Sequence, residues 1–331
     1  MGLSRRFYLG FDGGQSGSRA IVSDVEGHVI TRTSGPPFDH IKAQDGRDKI
    51  RSAFARCLGT PEIGQLGIVS AFLGLTGIWE PNSSEALEVR EILDEVFTAD
   101  LIECDNDSVS CWAGALGGRA GVVVAAGTGV VAYGRDESGA AARLGGWGYI
   151  MGDCGGAYDI GRRALRAVAA SADAGAEDGI LVRAILAHFA VSDARSLQGC
   201  LYSLPDHRQA VAGCSRIVCD AAEAGDEQAM AILDDAGAGL GTLATVAAAR
   251  LGWASEDDIR FSMAGGVFRS GPVLTDAYQR SITLAYPTAH ICGPLFEPVV
   301  GALLLAWAQA GVDMKDPLRI RTLAAEVEEC S

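Results

Sequence analysis

The chain has no C-x-x-C pair, no apolar run approaching the ~20 residues that cross a bilayer, few aromatic residues and a shortage of base. Each absence excludes something. Nine cysteines are scattered at positions 57, 104, 111, 154, 200, 214, 219, 292 and 330. Their number is odd and they lack the paired spacing of a zinc or redox motif, so they read as reduced thiols in a cytosol. Against 42 acidic residues stand 27 basic ones, a formal charge of −15, which argues against nucleic acid or an anionic membrane as partner. A ligand that carries phosphates would have to be held mostly by backbone N–H groups and a metal ion. The opening Met1-Gly2-Leu3-Ser4-Arg5-Arg6 runs into a strand without the apolar stretch of a signal peptide, and Arg6 breaks a myristoylation pattern. The expectation is a soluble, cytoplasmic protein.

What the chain does have is apolar residues, 48% of 331, enough for two cores at roughly 150 residues per domain. It also has glycine gathered into a few bends. The first is "LGFDGGQSGSRAIVSDVEG", residues 9–27. A phosphate loop of the P-loop or dinucleotide type runs from a strand into a helix, whose N-terminus supplies aligned N–H groups. Here the chain continues instead into a second β-like run, Ala20-Ile21-Val22, and a D-x-x-G turn from Asp24 to Gly27. Residues 121–148, "GVVVAAGTGVVAYGRDESGAAARLGGWG", repeat the design, with a bend at Gly127-Thr128-Gly129 and a D-x-x-G turn from Asp136 to Gly139. Two hairpins of one design suggest two related lobes. Between them, strand-like 63–77, helix-like 83–97 and strand-like 101–107 alternate as in an α/β fold. Residues 155–251 read as Ala-rich helices, 259–282 as strand, Gly265-Gly266 bend and helix, and 296–311 as a helix opened by Pro298.

Glycine bends let backbone N–H groups approach an anion without a Cβ in the way. Ser16, Ser18 and Thr128 add hydroxyls, and Asp12 at a strand end can orient a hydrated Mg²⁺. Asp107, in "ECDNDSVSCWAGALGG", admits two readings: an N-cap at the start of a helix, or a general base beside an attacking hydroxyl. The glycine-dense "LGGWGYIMGDCGGAYDIG" (144–161), with Asp153 at its centre, reads as a substrate-facing loop.

Taken in order, "GFDGGQSGSRAIVSD", "NDSVSCWAGAL", "AAGTGVVAYG", "GGWGYIMGDCGGAYDIG", "AGGVF" and "EPVVGALLLA" resemble six motifs of the BadF/BadG/BcrA/BcrD ATPase family, in its N-acetylglucosamine kinase branch. That family lies in the actin/hsp70/hexokinase superfamily. The resemblance implies an α/β fold of two actin-like (ribonuclease H-like) lobes, 1–117 and 118–331, with a mixed sheet in each and a nucleotide cleft between them. It implies ATP and Mg²⁺, a small sugar as acceptor, and a homodimer. It further implies Asp107 as base, Asp12 for Mg²⁺, and Gly13, Gly14, Gln15, Ser16, Ser18, Thr128 and Gly129 at the phosphates. Gly265 and Gly266 would approach the adenosine, and Asp39, Gly146, Trp147 and Asp153 the sugar. The sequence departs from the family in three places. Cys154 and Gly156 stand for the Glu and Ser of a Gly-Asp-Glu-Gly-Ser run, Asp159 for a Trp-like residue, and Asp39 for a sugar-contacting Asn. An ionised Asp39 can only accept hydrogen bonds, so it would favour a free amine or hydroxyl over an acetamido group. Two other functions fit the same motifs: an ATPase that activates a redox partner through a shared iron–sulfur cluster, and a regulator that binds nucleotide or sugar without chemistry.

Overall fold

The computed structural model describes residues 6–176 and 178–329. The chain divides into two compact units, residues 1–120 with 293–331, and residues 121–292.

In the first unit the elements are β1 (Phe7–Gly14), β2 (Gly17–Asp24), β3 (Val29–Gly35), α1 (Gly46–Cys57), α2 (Pro61–Gly64), β4 (Ile68–Leu75), α3 (Ser84–Asp94), β5 (Leu101–Asn106) and α4 (Asp107–Leu116). The second unit holds β6 (Gly121–Ala126), β7 (Val130–Arg135), β8 (Ala141–Gly145), α5 (Gly148–Met151), α6 (Ala157–Asp173), α7 (Ile180–His188), α8 (Ala194–Ser203), α9 (His207–Glu223), α10 (Glu227–Arg250), β9 (Arg260–Ala264), α11 (Pro272–Ala285) and β10 (His290–Cys292). The chain then returns to the first unit as α12 (Pro298–Gln309) and α13 (Pro317–Glu329).

The hairpin echo extends to whole sheets. The first sheet runs β3-β2-β1-β4-β5 and the second β8-β7-β6-β9-β10. In each, three strands form an antiparallel meander and two more add in parallel beside the first. Each D-x-x-G turn closes on its aspartate: Asp24 accepts from the N–H groups of Glu26 and His28, and Asp136 from that of Ala140.

The boundary expected after residue 117 lies close to the change of unit at 120, but the closing segment belongs to the first unit and not to the second. The reason is packing. Helix α12 is buried from Val299 to Trp307, so it must have protein on all sides. A Cβ on Gly10 would fall 2.3 Å from the Leu303 nitrogen, and one on Gly301 would fall 2.0 Å from the Ser110 carbonyl oxygen. The helix is therefore wedged between β1 and α4 at glycine contacts, where any larger residue would push it away. On the other face of the same sheet Phe11, Phe38 and Phe54 pack with ring centroids 5.3 to 6.2 Å apart. Among the described residues, no helix is long and apolar enough to cross a membrane.

Candidate active site

In the first unit the β1–β2 turn is only two residues, Gln15 and Ser16, both exposed. Gly14 pairs with Gly17 across it. The loop after β3 braces this hairpin: Phe38 donates its N–H to the Gly14 carbonyl at 3.0 Å, and a Cβ on Gly13 would lie 2.9 Å from the Phe38 ring. Ser18 does not serve a ligand as expected. Its side chain is 1% exposed and donates to the Pro36 carbonyl at 2.8 Å, because along β2 it shares the buried face with Ala20 and Val22.

Asp12 lies opposite Arg19 on β2 and Gly74 on β4. A Cβ on Gly74 would fall 3.4 Å from the Asp107 Cα, so the first residue of α4 sits over the strand that neighbours Asp12. Burial pushes the Asp12 carboxyl up to about 7; Asp107 and Glu297 add to that push and Arg19 opposes it. Glu297, at the start of α12, accepts from Arg19 at 3.0 Å and from Arg32. This end of the sheet therefore gathers three carboxylates and two guanidinium groups. Asp12 presents hard oxygen ligands in a locally acidic setting, which suits Mg²⁺ bound through one or two carboxylates and water. Among the described residues no group of three or more His, Cys, Asp or Glu is placed to hold a metal, and such a Mg²⁺ site does not require one.

The geometry removes one of the two readings of Asp107, the N-cap. The N-cap of α4 is Asn106, whose side chain accepts from the Ser108 N–H at 3.1 Å while its amide donates to the Ile78 carbonyl at 2.7 Å. Asp107 is the next residue, half-buried in the first turn. Capping is accomplished without it. The Asn-Asp pair held this signal, since Asn caps as well as Asp.

Asp39 is half-buried and already partnered. It accepts from Lys49 at 2.8 Å and from the His40 N–H at 2.8 Å. Burial pushes its carboxyl up, but Lys49 and His40 outweigh that and hold it below the usual range. The unpaired charge that would turn away an acetamido carbonyl is thus absent.

In the second unit the bend 127–129 is pinned by a neighbouring loop. The Asp153 carboxylate accepts from the Val130 N–H at 3.1 Å, and a Cβ on Gly129 would lie 2.8 Å from its Oδ2. Burial raises the Asp153 carboxyl, with the Val130 N–H and Arg208 working against it. Asp153 has φ +56°, a left-handed conformation that costs a non-glycine residue about 1 kcal/mol or more. Thr128 is exposed at the bend and Gly129 half-buried. Gly265 has φ +95°, and a Cβ there would fall 2.3 Å from the Ala126 carbonyl oxygen, so the 265–266 bend lies directly beside the end of β6. Gly146 donates its N–H to Val130 at 2.7 Å, and Trp147 stands 63% exposed.

The profile of the BadF/BadG/BcrA/BcrD ATPase family matches residues 9–306. The chain belongs to that family. It is similar to the N-acetylmuramic acid/N-acetylglucosamine kinase of Clostridium acetobutylicum, 27% identical over 309 residues that cover 91% of this chain and 98% of the relative. It is also similar to the N-acetyl-D-glucosamine kinase of Dictyostelium discoideum, 26% identical over 319 residues, 92% of this chain and 98% of the relative. The fold matches that of a Chromobacterium violaceum protein solved as a candidate N-acetylglucosamine kinase, with TM-score 0.70 at 22% identity over 92% of this chain and 100% of the other. The two sheets and this likeness establish the two-lobe actin-like α/β fold.

One of this family member's own departures acquires a partner set that sequence reading missed. Asp159, 2% exposed, accepts from the Gly155 N–H, Arg162 and Arg163 at 3.1, 2.6 and 3.0 Å. Cys154 is exposed, and nothing in the structure explains its substitution.

Proposed function

We propose that this BadF/BadG/BcrA/BcrD family member is an ATP-dependent sugar kinase that transfers the γ-phosphoryl of ATP to a hydroxyl of a hexosamine such as N-acetylglucosamine or glucosamine. The observation that carries the reading is the carboxylate of Asp107, relieved of capping by Asn106 and set beside Asp12 at the strand end. Two curated relatives, each similar over more than nine-tenths of the chain and both named as N-acetylglucosamine kinases, support the acceptor class. They also disfavour the redox-activator alternative.

In this reading Asp107 takes the proton from the acceptor hydroxyl as that oxygen bonds to the γ-phosphorus and the bond to the β,γ-bridging oxygen breaks, leaving ADP. The proton then passes from Asp107 to water. Gly13, Gly14, Gln15, Ser16, Thr128 and Gly129 would offer backbone and side-chain donors to phosphate. Gly265 and Gly266 leave room for adenosine. Gly146, Trp147 and Asp153 belong to the acceptor site, with Asp39 a neutralised member of it. Asp12 would hold Mg²⁺, which when bound supplies positive charge to the phosphate oxygens.

The test is ADP release, coupled to a spectrophotometric readout, over amino sugars, N-acetyl sugars and anhydro sugars. The expected result is sugar-dependent turnover with N-acetylglucosamine or glucosamine. ATP binding without turnover on any sugar would overturn the kinase in favour of a non-catalytic regulator.

A further inference from the structure

The loop 152–156 carries Asp153, held in the left-handed region, whose carboxylate bonds directly to the 127–129 bend through the Val130 N–H. Three consecutive backbone N–H groups fix it. Gly155 donates to the Asp159 carboxylate at 3.1 Å, Gly156 to the Asp153 carbonyl at 3.0 Å, and Ala157 to the Gly127 carbonyl at 2.8 Å. Helix α6 begins here, and its N-cap is Gly156, which has no side chain to cap with. Asp159, the third residue of the helix, reaches back past the cap to the N–H before it. That is a capping-box contact displaced by one residue.

Asp159 is buried, yet it is fully provided for. Arg162 bonds one carboxylate oxygen, Arg163 the other, and Arg163 continues to Asp235 on α10 at 3.4 Å. The same helix α10 backs the loop, since a Cβ on Gly155 would fall 2.9 Å from the Ala236 carbonyl oxygen. On its other side the loop meets the bend, where a Cβ on Gly156 would lie 2.9 Å from the Thr128 carbonyl oxygen. The loop is thus clamped between α10 and the 127–129 bend, with Asp159 as the charged fastening. A left-handed aspartate persists only where its surroundings over-determine it, and these are the surroundings.

We propose that Asp159, with Arg162 and Arg163, is a positioning element that keeps Asp153 and the 152–156 loop closed against the 127–129 bend, so that nucleotide affinity depends on a carboxylate remote from the nucleotide. The inference rests on the nucleotide role given above to that bend. It also gives a function to a position where this chain departs from its family's pattern.

The experiment compares Asp159→Asn and Asp159→Ala with the wild type in the full-length protein. The readouts are the calorimetric Kd for a non-hydrolysable ATP analogue with Mg²⁺, the KM for ATP, kcat and Tm. Asp234→Asn serves as a control, because its pair with Arg280 joins α10 to α11 outside the network. The expected result is a Kd and an ATP KM raised about tenfold in Asp159→Ala, as for a displaced binding element. Asp159→Asn should show a smaller rise, kcat should stay within about threefold, and the control should not change. A Kd within about twofold of wild type in both variants, whatever happens to Tm or kcat, overturns the proposal and leaves Asp159 a purely structural residue. If Asp159→Ala does not fold, Asp159→Asn decides by the same Kd. Because Kd is measured without acceptor, it stands even if no sugar is phosphorylated, which separates failure here from failure of the kinase reading.

Discussion

Replacing Asp107 by asparagine isolates proton acceptance from everything else at that position. The side chain keeps its size, and the helix keeps its cap, because Asn106 and not Asp107 accepts the Ser108 N–H. Two electrostatic changes remain, and they oppose each other. A first-turn carboxylate lost from α4 costs about 0.3 to 1 kcal/mol of favourable helix-dipole interaction. Against it, Asp12 is relieved of the neighbour that helps to push its carboxyl up. Tm should therefore hardly move. Loss of a general base typically lowers the rate about 10²-fold or more, or roughly 2.7 kcal/mol of transition-state stabilisation. The companion variant Asn106→Ala should show the reverse pattern. It removes the cap and the bond to Ile78, which together are worth about 1 to 3 kcal/mol of stability. The assay is sugar-dependent ADP release, with nucleotide Kd by calorimetry and Tm measured on the same preparations. Asp107→Asn turning over within about threefold of wild type would refute the assignment, whatever Asn106→Ala does.

Further outcomes follow from the same geometry. Gly129→Val places a branched side chain where a Cβ already meets the Asp153 carboxylate at 2.8 Å; nucleotide Kd should rise at least about tenfold, and normal ATP binding would remove this bend from the site. Because Lys49 neutralises Asp39, Asp39→Asn should change the ratio of kcat/KM for N-acetylglucosamine over glucosamine by less than about threefold, and a larger shift toward the N-acetyl sugar would restore a free carboxylate. Burial pushes the Asp159 carboxyl up, but Arg162, the Gly155 N–H and Arg163 hold it below its ordinary value. Its contribution is thus complete above the unfolded pKa and lost as pH falls through the folded one. The Tm gap between wild type and Asp159→Asn should be full at pH 7 and shrink below about pH 4; a gap unchanged at pH 3 would contradict the ion pairing. Chelating Mg²⁺ should weaken ATP binding about tenfold or more, since on the kinase reading a bare triphosphate would meet Asp12, Asp107 and Glu297, which Arg19 and Arg32 offset in part; equal affinity in chelator, or an equal loss in Asp12→Asn, would exclude Asp12 as the metal ligand.

Much of this was legible because local pattern and fold agree where the backbone does the binding. The two hairpins, their D-x-x-G turns and the bends at 13–14, 127–129 and 265–266 are specified by glycine, aspartate and alternation within a dozen residues each. What escaped was non-local. The 296–311 helix is readable from its apolar run and Pro298, but its partners Gly10, Ser110 and Gly114 lie far away in the N-terminal part of the chain, so the sequence pattern does not say which core it fills. Ser18 is legible by its phase with Ala20 and Val22, which puts it on the buried face and outweighs the turn chemistry that makes its hydroxyl a candidate. Asp159 looked only like a deviation, because its meaning depends on Arg162 and Arg163 one turn on and on Gly155 before the helix.

The duplicated sheet carries its acids in unlike places. Each unit supplies the same five-strand frame and the same short bend after its first strand. A frame of that kind gives backbone N–H groups and little charge. The first unit adds acid to its bend: Asp12 on the strand, Asp107 from α4 and Glu297 from α12. The second adds a loop that uses its own acid, Asp153, to fasten the bend. Acids placed beside a strand end suit proton and metal work and oppose a bare phosphate, whereas an acid turned onto backbone N–H groups stiffens a cradle. In a chain with 42 acidic and 27 basic residues, the kinase reading would assign the base and the metal ligand to Asp107 and Asp12 in the first unit, and backbone contacts with phosphate to the 127–129 bend in the second.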